Sequence, residues 1–247
     1  MIIKYVHKNI NNTKMKRNYD NRIVIKPWGE EYNIFRNKKK IAITFLKLKK
    51  GFSTSLHCHP KKKTGFLILS GTAEVQLGIY KNNIFKYPPM SILVLRAGLF
   101  HKIKASKNRD LHALEIENPY IKTDLIRMTD DYGREGMAYE DLQNTKKISR
   151  DDIIFKIPKG TNINKYILDK ININISYYRN FNKFNKFDDK SVSVILDGNM
   201  KTHDGKIVIT VGEIVKSFTL KKLSEFFKVD KRILILKASK KIKYCKK

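Results

Sequence analysis

Cysteine is scarce in this sequence, and the two that occur do not suggest a disulfide framework. Cys58 and Cys245 lie far apart, so we expect a reducing compartment and predict the cytoplasm. No apolar run approaches the ~20 residues that a membrane-spanning helix needs, and we expect no membrane insertion. Residues 1–8 have neither a long apolar core nor a small-residue cleavage site, so no signal peptide is expected.

Acidic residues are also few, with 23 Asp and Glu against 52 Lys and Arg and a net charge of +29. Such a charge would attract phosphates on nucleic acids, lipids or small substrates. The basic residues are nevertheless spread along the whole chain, and no helix-turn-helix, zinc-finger or RNA-binding aromatic motif accompanies them. We interpret the charge as compositional drift and expect no specific nucleic-acid partner.

Long helical patterns are largely missing, and short apolar runs separated by Gly, Pro and Asn take their place. In the first half of the chain these runs occupy residues 22–25, 41–48, 53–59, 65–70, 73–79, 91–95, 101–105 and 111–116. In the second half they occupy residues 171–178, 191–196, 206–211, 213–216 and 232–237, and a few helical turns are predicted around 138–144. Closely spaced strands of this kind predict an all-β sandwich or barrel.

The two halves share a weak internal repeat, since the strand and glycine turn at 191–198 resemble those at 65–71. We predict a loose N-terminal extension over residues 1–20, a barrel over 21–135, a connector over 136–160 and a second β domain over 161–247. His203 is the only histidine of the second domain. We therefore expect that domain to be a degenerate barrel that binds no metal and serves packing or self-association.

A His-x-His pair is the main chemical signal of the sequence. His57 and His59 are two residues apart in a predicted strand, so their side chains project to the same face. A third histidine, His101, follows another apolar strand and a turn. Two or three neutral imidazoles on the inside of a barrel can bind a divalent metal, and these three are the predicted ligands.

These residues resemble the first motif of the cupin superfamily, which is a double-stranded β-helix, or jelly-roll, barrel. The matching positions are Gly51, His57, His59 and Gly71, in that order and at the spacing of the family. Thr64 stands where the family places a glutamate ligand. The resemblance implies a tandem cupin whose first barrel holds a metal, with the loss of that carboxylate as its main departure.

The second cupin motif is matched by Gly98 and His101. This chain has Arg96 where the family usually has proline, and Met90 where it has glycine. Both motifs occur in order at the proper separation, so the resemblance extends across the whole first barrel.

A narrower resemblance spans residues 26–135. It is carried by Lys-Pro-Trp-Gly at 26–29, Ser-Leu-x-x-His at 55–59, Glu-Ile-Glu-Asn-Pro at 115–119 and Asp-Asp-Tyr-Gly-Arg at 130–134. These segments are similar to the type II mannose-6-phosphate isomerase cupins, including the C-terminal domain of the bifunctional guanylyltransferase-isomerases. That family implies a metal-assisted aldose–ketose interconversion of a sugar phosphate, usually in surface polysaccharide synthesis.

The resemblance also implies roles for basic residues. Lys62 matches a lysine or arginine of the family and is the candidate for proton transfer or substrate contact. Arg127 is the candidate phosphate clamp, because a guanidinium fork suits phosphate geometry. Lys61 and Arg96 are further candidate substrate contacts.

Three functions remain open from the sequence. The first is a sugar-phosphate isomerase acting on a sugar phosphate or nucleotide sugar, with zinc as the expected metal and iron or manganese as alternatives, working as a homodimer. The second is an Fe(II) dioxygenase, because three histidines without a carboxylate can hold iron. The third is a non-catalytic sugar-binding module, which Thr64 makes credible.

Overall fold

The computed structural model describes residues 19, 21–38, 40–135, 142–180 and 183–240. Most of the predicted N-terminal extension, the first residues of the predicted helical turns and Cys245 lie outside these ranges. Of the two cysteines, Cys58 is described; it is buried and forms no disulfide. None of the helices in the described ranges has the length and apolar character to cross a bilayer.

Twelve strands form the first half of the molecule. They are β1 (Arg22–Lys26), β2 (Gly29–Asn37), β3 (Ile41–Leu48), β4 (Leu56–Cys58), β5 (Lys63–Ser70), β6 (Ala73–Leu77), β7 (Ile84–Tyr87), β8 (Ile92–Leu95), β9 (His101–Ala105), β10 (Leu111–Asn118), β11 (Ile126–Thr129) and β12 (Thr145–Lys147). A 3-10 turn at Leu142–Asn144 precedes β12. The connector predicted over 136–160 therefore contributes a strand, because β12 pairs with β1.

The strand order identifies the fold. One sheet has the order β12-β1-β2-β3-β10-β5-β8, and the other has the order β11-β4-β9-β6-β7. Strands β3 to β10 thus form two antiparallel sets of four, β3-β10-β5-β8 in the first sheet and β4-β9-β6-β7 in the second. This is the double Greek key of a jelly roll, so the predicted all-β cupin fold is confirmed. We call this unit the first barrel.

Alternation along each strand fills the first barrel. On β10, Leu111 and Ala113 point inward to an apolar core that includes Trp28 and Phe66. Leu114, in the other register, points outward and is also fully buried. A strand buried on both faces requires a second layer outside the barrel.

The second β unit supplies that layer. Its elements are β13 (Asn164–Leu168), β14 (Ile171–Tyr178), β15 (Val192–Asp197), β16 (Met200–Lys201), β17 (Ile207–Ile209), β18 (Ile214–Lys216), α1 (Ser217–Ser224), β19 (Lys228–Val229) and β20 (Ile233–Lys240), with a 3-10 turn at Phe184–Lys186. The outer face of the seven-stranded sheet packs against the sheet β13-β14-β20-β15-β18, and the two share one apolar cluster.

The second unit repeats the first with one strand missing. The order β14-β20-β15-β18 matches β3-β10-β5-β8, and β17-β16-β19 matches β7-β6-β9. Among the described residues nothing corresponds to β4, the strand that carries His57. The second barrel is therefore degenerate at the strand that supplies a candidate metal ligand in the first.

Gly212 marks a close contact between the barrels. It has a φ of +89°, and a Cβ there would lie 2.6 Å from the Cβ of Asn118. Asn118 also donates a hydrogen bond from Nδ2 to the carbonyl oxygen of Val211 at 2.9 Å. We expect Gly212→Ala to lower the free energy of unfolding by about 1–3 kcal/mol, because both backbone strain and this contact oppose the methyl group.

Urea denaturation measures that loss, and Gly205→Ala is the matched control. Gly205 has a φ of +91°, but a Cβ there would meet nothing within 4 Å. The excess loss at Gly212 therefore reports packing between the barrels. Equal losses in the two variants would contradict this interpretation.

Candidate metal centre

Strand register brings the three predicted ligands together. His57 on β4 lies directly opposite His101 on β9, and directly opposite Arg127 on β11 on the other side. Residues opposite each other in antiparallel strands share a face, so all three point into the first barrel. His59 follows β4, and its ring centroid lies 5.0 Å from that of His57 and 5.4 Å from that of His101. One ligand nitrogen from each histidine lies within 4.8 Å of the other two.

Backbone carbonyls fix the orientation of each ring. The Nδ1 of His57 lies 2.8 Å from the carbonyl oxygen of Ser55, that of His59 lies 2.6 Å from Asp124 O, and that of His101 lies 3.0 Å from Leu99 O. A carbonyl can only accept, so each Nδ1 carries the proton and donates it. Each Nε2 is left with a lone pair, the arrangement of metal-binding histidines.

Burial keeps these imidazoles neutral. Burial, together with the nearby charge of Lys62, lowers the pKa of His59 to about 3 and that of His101 to about 4. The pKa of His57 is also well below its usual value, because of burial and the two neighbouring histidines. All three side chains therefore offer unprotonated nitrogens at neutral pH, which is the form that binds metal.

Unpaired polar atoms indicate that the site fits a cation. The Nε2 atoms of His59 and His101 and the Oγ1 of Thr64 are buried without a hydrogen-bond partner. Buried polar groups in native proteins usually have a partner, and a bound ion or water would supply one here. Imidazole nitrogens are ligands for zinc and for iron, so the three histidines could hold a divalent metal.

Lys62 lies in the wall of the same cavity, and its ammonium forms a short ion pair with Glu117. Both side chains are almost fully buried, and Thr44 Oγ1 donates a further hydrogen bond to Glu117 at 2.9 Å. Burial opposes the charge on Lys62, but Glu117 and Glu115 outweigh it and raise the pKa of Lys62 above its usual value. Burial likewise opposes the charge on Glu117, yet Lys62 and Lys122 lower its pKa. This is a charged pair at neutral pH.

Glu115 is the other acid of β10 that points inward, and no role was predicted for either acid from the sequence. Its Oε1 lies 3.9 Å from His59 Nε2. Burial and the neighbouring Glu117 together raise the pKa of Glu115 to about 8. The signal in the sequence was register: Glu115 and Glu117 share the parity of Leu111 and Ala113, which line the barrel.

The cavity around these groups measures about 70 Å³. That volume suits an ion with a few waters, because one water needs ~10–15 Å³ by the same measure. Arg127 lines the cavity together with the histidines and Lys62. Lys61 and Arg96 have exposed side chains and are not part of its lining, so the structure does not bring them to the histidines.

Asp124 braces the loop between His59 and Lys62. Its carboxylate accepts hydrogen bonds from the backbone N–H groups of Lys61 and Lys62, both at 2.9 Å. Its own backbone carbonyl accepts a hydrogen bond from Nδ1 of His59. The loop after β4 is therefore tied to the segment before β11.

We expect Asp124→Ala to weaken zinc binding by between about 10- and 100-fold, the usual effect of groups that orient metal ligands. Competition with a chromophoric chelator measures the Kd. Asp110→Ala is the control, since Asp110 also accepts a backbone N–H, from Lys50 at 2.9 Å, at an exposed site. Equal affinities in the two variants would show that the brace does not act on the histidines.

Comparison with known proteins gives distant similarity. No protein-family model matches the chain. Over 119 residues, 46% of this chain, it is 28% identical to the xanthan biosynthesis protein XanB of Xanthomonas campestris pv. campestris (strain B100). The chain spans only 24% of the length of that protein.

Solved structures with a similar fold include KdgF from Halomonas sp. and the capsular polysaccharide assembling protein CapF from Staphylococcus aureus. KdgF is 15% identical with a TM-score of 0.35, over 39% of this chain and 85% of KdgF. CapF is 16% identical with a TM-score of 0.38, over 44% of this chain and 34% of CapF. The assignment of the fold rests on the strand order described above.

Proposed function

We propose that the first barrel is a metal-dependent sugar-phosphate isomerase of the mannose-6-phosphate isomerase kind, acting in surface polysaccharide synthesis. The observation that carries this proposal is the convergence of three neutral imidazoles beside the buried Lys62–Glu117 pair. The similarity to a protein named for xanthan biosynthesis supports the biosynthetic context. A sugar phosphate or nucleotide sugar as ligand, and a homodimer as the assembly, are parts of the same proposal.

A divalent metal held by His57, His59 and His101 would polarise the adjacent carbonyl and hydroxyl oxygens of the sugar. The small cavity admits the reacting end of the sugar, since complete ligand sites usually measure ~300–1,000 Å³. The phosphate would then lie toward the cavity mouth. Arg127 would hold it there with its guanidinium.

The charged pair suggests how the proton moves between carbons 1 and 2. A raised pKa keeps Lys62 protonated, so its ammonium would donate a hydrogen bond to a developing oxyanion. A lowered pKa keeps Glu117 ionised, so its carboxylate is the better candidate for the base. The proton-transfer role predicted for Lys62 thus passes to Glu117, with Lys62 as its electrostatic partner.

NMR in deuterated water tests the proposal. Zinc-loaded protein should interconvert mannose 6-phosphate and fructose 6-phosphate and incorporate deuterium at carbon 2. The double variant Lys62→Gln, Glu117→Gln removes both charges together, so neither is left buried alone. It should bind metal normally but turn over at least ~100-fold more slowly. The outward-facing Glu74→Gln is the control and should keep wild-type turnover. Metal-loaded protein that binds the sugar phosphate without turnover would overturn isomerisation in favour of a sugar-binding module.

An Fe(II) dioxygenase is the second candidate, favoured by the three neutral imidazoles and by Thr64 in place of a carboxylate. Oxygen consumption by iron-loaded protein, with no isomerisation by zinc-loaded protein, would replace the first proposal with this one.

A further inference from the structure

Glu115 approaches the histidines from the opposite sheet. His57 and His101 lie on the sheet of β4 and β9, whereas Glu115 lies on β10, between Thr44 of β3 and Phe66 of β5. Its Oε1 nevertheless comes within 3.9 Å of His59 Nε2. The carboxylate therefore reaches across the barrel interior to the ligand nitrogen of His59.

The separation is close to that of two ligands on one ion. Zinc binds imidazole nitrogens and carboxylate oxygens at ~2.0–2.2 Å, so neighbouring ligand atoms in a tetrahedral shell lie about 3.3 Å apart. The observed 3.9 Å exceeds this by a few tenths of an ångström. On metal binding the Glu115 side chain would have to move by that small distance toward His59 Nε2.

Charge also points to Glu115. Three neutral imidazoles do nothing to balance a buried divalent cation, and an unbalanced buried charge is costly. The other inward acids are committed: Glu117 pairs with Lys62, and Glu31 lies 3.0 Å from the Lys122 ammonium. Of the described residues, His59 is the one basic side chain within salt-bridge distance of Glu115. Thr64, whose Oγ1 has no partner, supplies no carboxylate on β5.

We propose that Glu115 is the fourth protein ligand of the metal centre, so that the carboxylate of the shell comes from β10. The inference rests on the three-histidine centre of the proposed function, but it requires no isomerase activity. The shell then has three neutral nitrogens and one anionic oxygen. The net charge of the ion together with its ligands is therefore lower by one unit.

Metal affinity tests this assignment without reference to turnover. Metal-free protein is titrated with zinc against a chromophoric chelator, and with cobalt while the visible absorption of the bound ion is recorded. Glu115→Gln should bind zinc at least ~10-fold more weakly, since even groups behind the ligands contribute that much. The cobalt spectrum should also change, because an anionic oxygen leaves the shell.

Glu31→Gln is the matched control, because it makes the same change of side chain in the wall of the same cavity. It should change zinc affinity by less than about threefold and leave the cobalt spectrum as in the wild type. The amide oxygen of Gln in Glu115→Gln could still bind the metal. Glu115→Met is therefore tested as well, because Met has no side-chain oxygen. Urea unfolding of each variant confirms that the fold is kept.

The outcomes separate this inference from the function it builds on. If Glu115→Gln and Glu115→Met keep the affinity and the cobalt spectrum of the wild type, Glu115 is not a ligand and the inference is overturned. If the wild type binds neither ion, the three-histidine centre falls and the inference falls with it. If zinc binds tightly and the binding depends on Glu115, but no isomerisation occurs, Glu115 is supported as a ligand and only the isomerase proposal is overturned.

Discussion

His101→Ala should abolish stoichiometric metal binding by the first barrel. The histidine is 1% exposed, its ring is oriented by the Leu99 carbonyl, and its Nε2 has no partner in the fold. Removal of a ligand costs more than removal of a group that orients one, so the loss in zinc affinity should exceed ~100-fold. Protein purified without chelators should then contain less than a tenth of the wild-type metal by elemental analysis.

His112→Ala provides the matched control for His101→Ala. His112 lies on the outward face of β10, where its Nδ1 pairs with Asp169 of the second barrel at 2.6 Å. Its loss should affect the packing of the barrels but leave the metal content unchanged. Equal metal content in His101→Ala and the wild type would refute the proposed centre and with it both enzyme hypotheses.

Most strands of the first barrel could be predicted because their apolar residues alternate or run continuously between turn residues. Three predicted runs, at 41–48, 101–105 and 171–178, have the same bounds as β3, β9 and β14. Strand β2 was missed because Glu30, Glu31 and Asn33 interrupt its apolar pattern. These polar groups are stabilised by pairing with Lys146, Lys122 and Tyr120, which lie far away in sequence.

Helix α1 was missed for a different reason. It has eight residues and lies between β18 and β19, where no element was predicted between the runs 213–216 and 232–237. Leu220 is fully buried in the core of the second barrel and anchors the helix. Tertiary packing of that kind does not appear in a pattern this short.

The histidines of the site could be predicted because a strand places alternate residues on one face. Glu115 and Glu117 could not be found in the same way, since charged residues in an alternating strand normally indicate the solvent side. Here the second barrel covers the other face of β10, so both faces are buried and the charged side faces the cavity. The alternation of charged and apolar residues on β10 would normally place the charged residues in solvent. Here the second barrel, which is distant in sequence, covers the apolar face and leaves the charged residues facing the cavity.

Acid should destabilise the metal-free protein through the same histidines. A histidine whose folded pKa lies below its unfolded value of ~6.5 stays neutral in the fold but takes up a proton when the chain unfolds. Its contribution to stability is complete above that value and is lost as the pH falls toward the folded pKa. For His101, with a folded pKa of about 4, the loss between pH 7 and pH 5 is about 2 kcal/mol.

Glu115 acts in the opposite direction over the same range. Its folded pKa of about 8 lies above the unfolded value, so the folded state holds a proton that the unfolded chain releases. Its contribution is present at low pH and is lost as the pH rises toward 8, which partly masks the histidines. The change in the free energy of unfolding of the wild type with pH therefore understates the effect of the histidines. The difference in that change between wild type and a histidine variant is the informative quantity.

Urea denaturation of metal-free wild type and His101→Gln at pH 7 and pH 5 isolates the contribution of one histidine. Glutamine has no titrating group, so the variant should lose about 2 kcal/mol less than the wild type between the two pH values. Parallel losses in wild type and His101→Gln would mean that His101 is already protonated in the fold near pH 6, and a ring in that state could not offer Nε2 to a metal. The acid titration thus tests, without any metal present, whether burial alone holds the imidazole in its binding form.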